Sequence, residues 1–360
     1  MLKDAIPLDT LQRALVIKLR HHGDVLLTSP VLSVLKAHAP QVEIDALIYA
    51  DTADMLTGHP ALSQLHCIDR HARKKGLFPY IRAEWQLLRA LQARHYDLII
   101  HLTDHPRGAW LARLCGARWA VTRKINGRGS WWKKAFTHFV SMPGAALRHT
   151  VELHLDALRR LGIFPAPDER ALTLIPGPAA EARVGKLLQE LACDGLPFIH
   201  IHPASRWHFK CWPSTSMAQL IERLTQQGHR VILTAAPDEA EMRMIDAIQS
   251  RLAQPVPSLA GQLTLKELAA LSGRARLFIG VDSAPMHIAA AMGTPSVALF
   301  GPSGDKEWGP WGVEHRVVSS DVHPCRPCGI DGCGGSKVSD CLTRLPVERV
   351  HQAVQELLAS

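Results

Sequence analysis

No stretch of this 360-residue chain approaches the roughly 20 consecutive apolar residues that a membrane-spanning helix requires, so membrane insertion is not expected. The opening MLKDAIPLDTLQRALVIKLR carries scattered charges and lacks the unbroken apolar core of an export signal. With neither export nor insertion expected, the eight cysteines read as reduced thiols or metal ligands rather than disulfides. A Gly-x-Gly-x-x-Gly run after a strand is also missing. Gly23 stands alone, which argues against a nicotinamide-dependent oxidoreductase. There is no strict internal repeat and no low-complexity tract.

What is present describes a globular protein, with 47% hydrophobic and 21% charged residues and enough length for two domains with separate cores. A net charge of +8 points to an anionic partner. Nucleic acid, an acidic lipid surface and a phosphorylated substrate all fit that balance.

Strand candidates Ala14 to Leu19, Glu43 to Ile48, Leu65 to Ile68, Asp97 to His101 and Arg118 to Thr122 alternate with helical patterns, clearest from Tyr80 to Arg94. That alternation predicts a doubly wound parallel sheet. After a helical stretch from His149 to Leu161, the prolines of Phe164 to Pro167 and Ile175 to Pro178 interrupt regular structure and mark a linker. The alternation then resumes. Strands are expected at Phe198 to His202 and Arg230 to Thr234, helices at Ser214 to Gln227, Glu239 to Ser250 and Thr264 to Leu271, and a last helix at Val347 to Leu358. The expected domains are 1–165, a linker 166–180, 181–345, and a C-terminal helix 346–360, two Rossmann-like α/β domains whose strand ends face a central cleft.

Three polar clusters fall at strand ends. In LFIGVDSAPMHIAAAMGTPSVALF, Leu277 to Phe300, a strand ends near Gly280, Pro285 suits a helix start, and Gly293 suits its stop. Asp282 or Ser283 can cap that helix, and its start is a candidate anion site lined by Asp282, Ser283, Ala284 and His287. In HPASRWHFKCWP, Ser205, Arg206 and Lys210 are candidate phosphate ligands or solvated loop residues, and Trp212 is a packing anchor. After the next strand, Glu239 and Glu241 are ribose candidates or simply acids that suit a helix N-terminus. Near the N-terminus, Asp24 follows the first strand at the end of Arg20-His21-His22-Gly23-Asp24. It reads either as a helix N-cap or as a general base able to take a proton from an attacking hydroxyl, with Gly23 allowing close approach.

Taken together, GDVLLTSPVL (Gly23 to Leu32), HPASRWHFKCWP and GVDSAPMHIAAAMGTPSVALFGP (Gly280 to Pro302) resemble glycosyltransferase family nine, the lipopolysaccharide heptosyltransferases, over most of the chain. LRHHGD with PCGIDGCGGSKVSDCL (Pro327 to Leu342) is most like the type III subgroup. The resemblance implies a GT-B fold, an acceptor on the N-terminal domain and ADP-L-glycero-D-manno-heptose on the C-terminal one. It implies inversion at the anomeric carbon without a catalytic metal or other cofactor. By motif, Asp24 becomes the catalytic base, with Arg20, His22, Gly23, Arg123 and Lys124 toward a heptosylated Kdo-lipid A acceptor. Ser205, Arg206 and Lys210 meet the donor phosphates, Glu239 the ribose, and Asp282, Ser283, Ala284 and His287 the rest of the donor pocket. Asp282 would repel a diphosphate, so it is expected to face sugar or backbone N–H groups. The chain departs from its relatives at Ala284-Pro285, where a glycine is common, and at Ala204-Ser205, where type I enzymes carry paired threonines.

Cys325, Cys328, Cys333 and Cys341 form the densest cysteine cluster, read either as a structural zinc site or as unligated thiols. The bases Arg70, Arg73, Lys74, Lys75, Arg123, Lys124, Arg128, Lys133 and Lys134 crowd the first half. They read as a solvated surface or as a groove toward phosphorylated inner-core sugar and the acidic cytoplasmic face of the inner membrane. Trp131 and Trp132 are expected to pack, to dip into that interface or to stack on sugar. The expectation is a cytoplasmic enzyme peripheral to the inner membrane, with no nucleic-acid partner. The alternatives are another GT-B nucleotide-sugar transferase of envelope polysaccharide synthesis and, more remotely, a basic nucleic-acid-binding protein, whose affinity would fall steeply with salt.

Overall fold

Parallel strands buried on both faces demand nearly continuous apolar runs, and the chain supplies them in two sets. The computed structural model describes residues 4–141 and 148–359, and the chain divides into two compact units, Met1–Leu174 and Ile175–Ser360. The division falls in the proline-rich stretch expected as a linker.

The first unit holds a parallel sheet of β1 (Arg13–Ile17), β2 (Glu43–Tyr49), β3 (Leu62–Ile68), β4 (Leu98–His101), β5 (Trp119–Arg123) and β6 (His138–Val140), in the order β3-β2-β1-β4-β5-β6. β1 is central, with Ala14 opposite Ile44 of β2 on one side and Leu98 of β4 on the other. Its Ala14 to Ile17 are fully buried, each larger aliphatic side chain contributing about 1.5–3 kcal/mol. Around the sheet lie α1 (His22–Leu26), α2 (Ser29–His38), α3 (Leu77–Ala93), α4 (Pro106–Cys115), α5 (Ser130–Lys133) and α6 (Thr150–Arg159).

The segment after β1 forms two helices rather than one, because the chain turns at Leu27 and Thr28, where the Thr28 hydroxyl donates to the Val25 carbonyl at 2.6 Å. Gly108 lets α4 lie close to the sheet. A Cβ there would stand 2.1 Å from the His101 ring. Trp132 is buried against His101 and Phe136, so of its two expected roles the structure gives it packing.

The second unit orders its strands β11-β10-β9-β7-β8, with β7 (Phe198–His202), β8 (Arg230–Leu233), β9 (Leu277–Val281), β10 (Ser296–Phe300) and β11 (His315–Ser319), again all parallel. Its helices are α7 (Pro178–Glu190), α8 (Ser214–Gln226), α9 (Glu239–Gln249), α10 (Leu265–Ser272), α11 (Ala284–Ala291), α12 (Asp305–Trp308), α13 (Asp340–Thr343) and α14 (Val347–Ala359). α7 starts inside the expected linker because Pro178 takes a first-turn position, where its missing N–H costs nothing. The C-terminal helix is part of this unit's core through Val350, Val354 and Leu357. Trp212 is buried and donates from Nε1 to the Leu345 carbonyl at 3.1 Å, the anchor expected of it. No helix among the described residues is long and apolar enough to cross a membrane.

Candidate active site

In an open parallel sheet, ligands favour the carboxyl ends of strands where the strand order reverses. In the first unit that point lies between β1 and β4, and the segment leaving β1 carries Lys18, Arg20 and Asp24. Asp24 sits within α1, whose N-cap position is His21, so the reading of Asp24 as N-cap is corrected. Its Oδ1 lies 3.8 Å from Lys18 Nζ and 3.7 Å from Arg20 Nε.

Lys18 is buried and donates to the Leu102 carbonyl at 3.0 Å, with His154 Nε2 at 2.8 Å. His154 Nδ1 meets the Leu27 carbonyl at 3.0 Å, so that nitrogen carries the proton and Nε2 accepts from the ammonium. Burial brings Lys18 down to about 8, with Asp24 pulling the other way. Burial, and then the Lys18 charge, keep His154 well below its ordinary value and hold it neutral. The result is a largely buried carboxylate beside a fixed cation. Lys18 and His154 were not singled out from sequence; the available signal was a lysine inside the apolar run ALVIKL.

The acceptor candidates lie around this loop and beyond it. His22 Nε2 contacts the Asp51 carbonyl at 2.7 Å, and Arg70 reaches the Arg20 carbonyl at 2.5 Å and Asp51 at 3.1 Å. Gly23 precedes Asp24 in α1, and its carbonyl accepts from Leu27 N at 2.9 Å. Arg123 and Lys124, at the end of β5, are exposed, with Arg123 paired to Asp104 at 2.5 Å.

In the second unit the strand order reverses between β7 and β9. The loops leaving those strands meet: Lys210 Nζ donates to Asp282 Oδ2 at 2.5 Å. Asp282, expected to face sugar or backbone N–H groups, has one of its oxygens taken by this lysine. Asp282 is buried and its partner is the lysine, whose charge offsets its own.

Gly280 permits the close packing of β9 on β7, since a Cβ there would lie 3.1 Å from the His202 carbonyl oxygen and against the Phe278 ring. α11 starts at Ala284 with Ser283 in the N-cap position, but the Ser283 hydroxyl donates back to the Val281 carbonyl at 3.3 Å. No side chain caps the helix, which leaves its first N–H groups to an anion. His287, on the same helix, is buried. Ser205 is buried, its hydroxyl accepting from Trp207 N at 3.2 Å, and Arg206 is exposed.

A groove of about 240 Å³ opens beside Lys210, lined by Trp207, Phe209, Ser303 and the loop Gly329-Ile330-Asp331. That loop belongs to the cysteine-rich segment, which reading by motif did not connect with the site. Gly329 N donates to the Pro302 carbonyl at 3.0 Å, and the Ser339 hydroxyl to the Phe209 carbonyl at 2.6 Å. The segment is thus a strap over the Lys210 loop. The reading of Cys325, Cys328, Cys333 and Cys341 as a zinc site is corrected. Among the described residues no three His, Cys, Asp or Glu side chains converge as a metal requires. Three of these thiols are exposed, while Cys341 is buried.

The two ribose candidates separate sharply. Glu239 is exposed and paired with Arg243 one turn away. Glu241 is buried, accepts from Ala236 N at 2.9 Å, and is raised above the ordinary carboxylate range chiefly by burial. Burial takes His202 down to about 4, so its 3.8 Å approach to Glu241 is not an ion pair at neutral pH. Asp238, not either glutamate, caps α9.

Comparison with known proteins places this geometry. Residues 84–337 match the model of glycosyltransferase family 9 (heptosyltransferase). The chain is 38% identical over 295 residues to lipopolysaccharide heptosyltransferase 3 of Escherichia coli, covering 81% of this chain and 84% of that one. In structure it resembles a family 9 glycosyl transferase from Veillonella parvula, at TM-score 0.84, 23% identity and 99% coverage of both chains. It also resembles the E. coli heptosyltransferase WaaC with ADP-2-deoxy-2-fluoro heptose, at TM-score 0.71, 21% identity and coverage of 96% and 99%. Both are of GT-B architecture, as are the two Rossmann-like sheets described above. The chain belongs to glycosyltransferase family 9, the heptosyltransferases.

Proposed function

We propose that this enzyme transfers L-glycero-D-manno-heptose from ADP-heptose to a heptose of the lipopolysaccharide inner core, with inversion at the anomeric carbon. The observation that carries the reading is the Lys210–Asp282 pair, which joins the two loops at the reversal point of the second sheet beside the uncapped start of α11. A sugar leaving from a nucleotide diphosphate develops negative charge on phosphate, and a cation with free helix N–H groups stabilises it. Lys210 supplies that cation, with Ser205 and Arg206 on the same loop.

Asp24 is the general base. It takes the proton from the acceptor hydroxyl as that oxygen bonds to the anomeric carbon from the face opposite the leaving phosphate; the carbon–oxygen bond to ADP breaks and the electron pair leaves with ADP. Lys18 and Arg20, 3.8 and 3.7 Å from its Oδ1, keep Asp24 in place. The counter-charge at the diphosphate comes from protein groups, so this reading requires no metal. Arg123 and Lys124 are proposed toward the phosphorylated acceptor, a heptosylated Kdo-lipid A at the cytoplasmic face of the inner membrane. The similar E. coli proteins are a lipopolysaccharide heptosyltransferase and a heptosyltransferase with an ADP-linked fluoroheptose, which supports both donor and acceptor class.

The test is ADP release from ADP-heptose with an inner-core acceptor, for the parent and Asp24→Ala. The parent turns over, and the variant binds ADP but does not. A variant that retains turnover removes Asp24 from its role.

A further inference from the structure

Helix α3 is 17 residues long, yet of its described side chains Leu91 is the one that is buried. Its first turns present Phe78 at 87% and Leu77 at 64% exposure, followed by Ile81 and Trp85, each about half exposed. Positions 77, 78, 81 and 85 share one face of a helix. α4 packs beside it and adds Trp110 and Leu114, so these two helices carry six of the thirteen exposed large apolar side chains among the described residues. Between them runs a groove of about 650 Å³ that also reaches Tyr49, Arg70 and Arg107.

The same face is cationic. Arg73 and Lys74 immediately precede α3, Arg82 and Arg89 lie on it, and Arg113 lies on α4, all exposed. The acid on α3, Glu84, is taken up by Arg107. The Arg89 guanidinium sits 3.7 Å from the centre of the Trp85 ring. Apolar side chains ringed by arginine and lysine, with a tryptophan under a cation, are what an interfacial helix offers to an anionic lipid surface.

We infer that the α3–α4 face of the first unit docks on an anionic bilayer, Leu77, Phe78 and Ile81 entering the acyl boundary and Arg73, Lys74 and Arg82 meeting lipid phosphates. The charge pattern selects this occupant. A second copy packed face to face would set these cations against one another, and a neutral apolar partner would leave them unpaired. Of the region expected at the membrane from sequence, Arg73 and Lys74 belong to this face, whereas Trp132 is buried and Trp131 packs against Trp110 with ring centres 4.4 Å apart. The inference rests on the reading that the acceptor is lipid-linked, because such an acceptor gives the docking its purpose.

The experiment is vesicle co-sedimentation of the full chain. It uses phosphatidylcholine vesicles with and without phosphatidylglycerol, and compares the parent with Leu77→Ser/Phe78→Ser and Arg73→Gln/Lys74→Gln. The parent binds the anionic vesicles and releases them at high salt, with Trp fluorescence shifting to the blue. Each double variant binds at least about tenfold more weakly. ADP release with a delipidated inner-core oligosaccharide stays at the parent rate in the Leu77/Phe78 variant. Failure of the parent to bind anionic vesicles, or equal binding by the Leu77/Phe78 variant, overturns the inference. So does a parent dimer that the same variant dissociates while vesicle binding is absent, which makes the face a self-interface. Vesicle binding by a parent that turns over no heptosylated acceptor leaves the docking face standing and refutes the transferase reading instead.

Discussion

Lys18→Met tests the geometry around Asp24 through the titration of a single buried group. Burial, partly offset by the Asp24 carboxylate, takes the Lys18 ammonium from 10.5 to about 8. Between those values the unfolded chain still holds a proton that the folded one has released, so this group makes stability rise with pH across the window from about 8 to 10.5. Below it, both states are protonated and the folded protein bears the whole cost of the buried charge. The interval corresponds to about 3 kcal/mol. Methionine fills similar volume and does not titrate. Urea unfolding at about pH 7, 8.5 and 10 is expected to show the parent gaining up to about 3 kcal/mol on the variant across the series.

At the low end of the range the substitution has a second, opposing consequence, because the Leu102 carbonyl and His154 Nε2 lose their donor at about 1–3 kcal/mol each. Only the pH dependence isolates the charge. In the proposed mechanism the variant also loses about 10- to 100-fold in turnover, since the base loses its fixed counter-charge, while ADP affinity is unchanged. Parallel pH profiles for the two proteins would refute the placement of a protonated Lys18 behind Asp24.

Three further outcomes are expected. Lys210→Met weakens ADP binding by about 10- to 100-fold in calorimetry, the worth of one charge-assisted hydrogen bond, and parent-like affinity removes Lys210 from the donor site. Gly280→Ala forces a Cβ to 2.6 Å from the Phe278 ring and 3.1 Å from the His202 carbonyl, and is expected to cost about 1–3 kcal/mol, read as a lower melting temperature. Asp45 is buried; burial alone would raise its carboxyl, but hydrogen bonds from His66, Arg94 and Tyr96 hold it at about 2. A carboxyl held low stabilises above its unfolded value of 3.8 and loses that contribution as pH falls toward 2. Tyr96→Phe, which removes a 2.7 Å bond to Asp45, therefore unfolds at a higher pH than the parent in acid titration followed by circular dichroism.

The sequence by itself determined the regular framework. Short apolar-rich segments at Ala14–Ile17, Phe198–His202 and Leu277–Val281, bounded by turn residues, suit the middle of a parallel sheet, and prolines around 165–178 have no place within one. Pro285 and Gly293 delimited the helix α11 from either end, Gly293 adopting φ of +77° just past it. Of the four edge strands, β3 and β8 were legible and β6 and β11 were not, because β6 has three residues and β11 carries polar ones at both ends, too little apolar pattern to read. The first three residues of α3, Leu77 to Pro79, escaped for a related reason: they face solvent, so burial sets no boundary there.

The site divides the same way. Asp24, Ser205, Lys210 and Asp282 stand at strand ends, where chain order alone draws attention to them. Their partners are contacts between distant segments. Lys18 meets His154 across 136 positions, and Lys210 meets Asp282 across 72. Composition cannot say that a lysine at the end of an apolar run turns inward toward a carboxylate, or that of four clustered thiols three stay exposed and one is buried. Those outcomes follow from packing, which fixes which charge is desolvated and which partner remains near enough to compensate it.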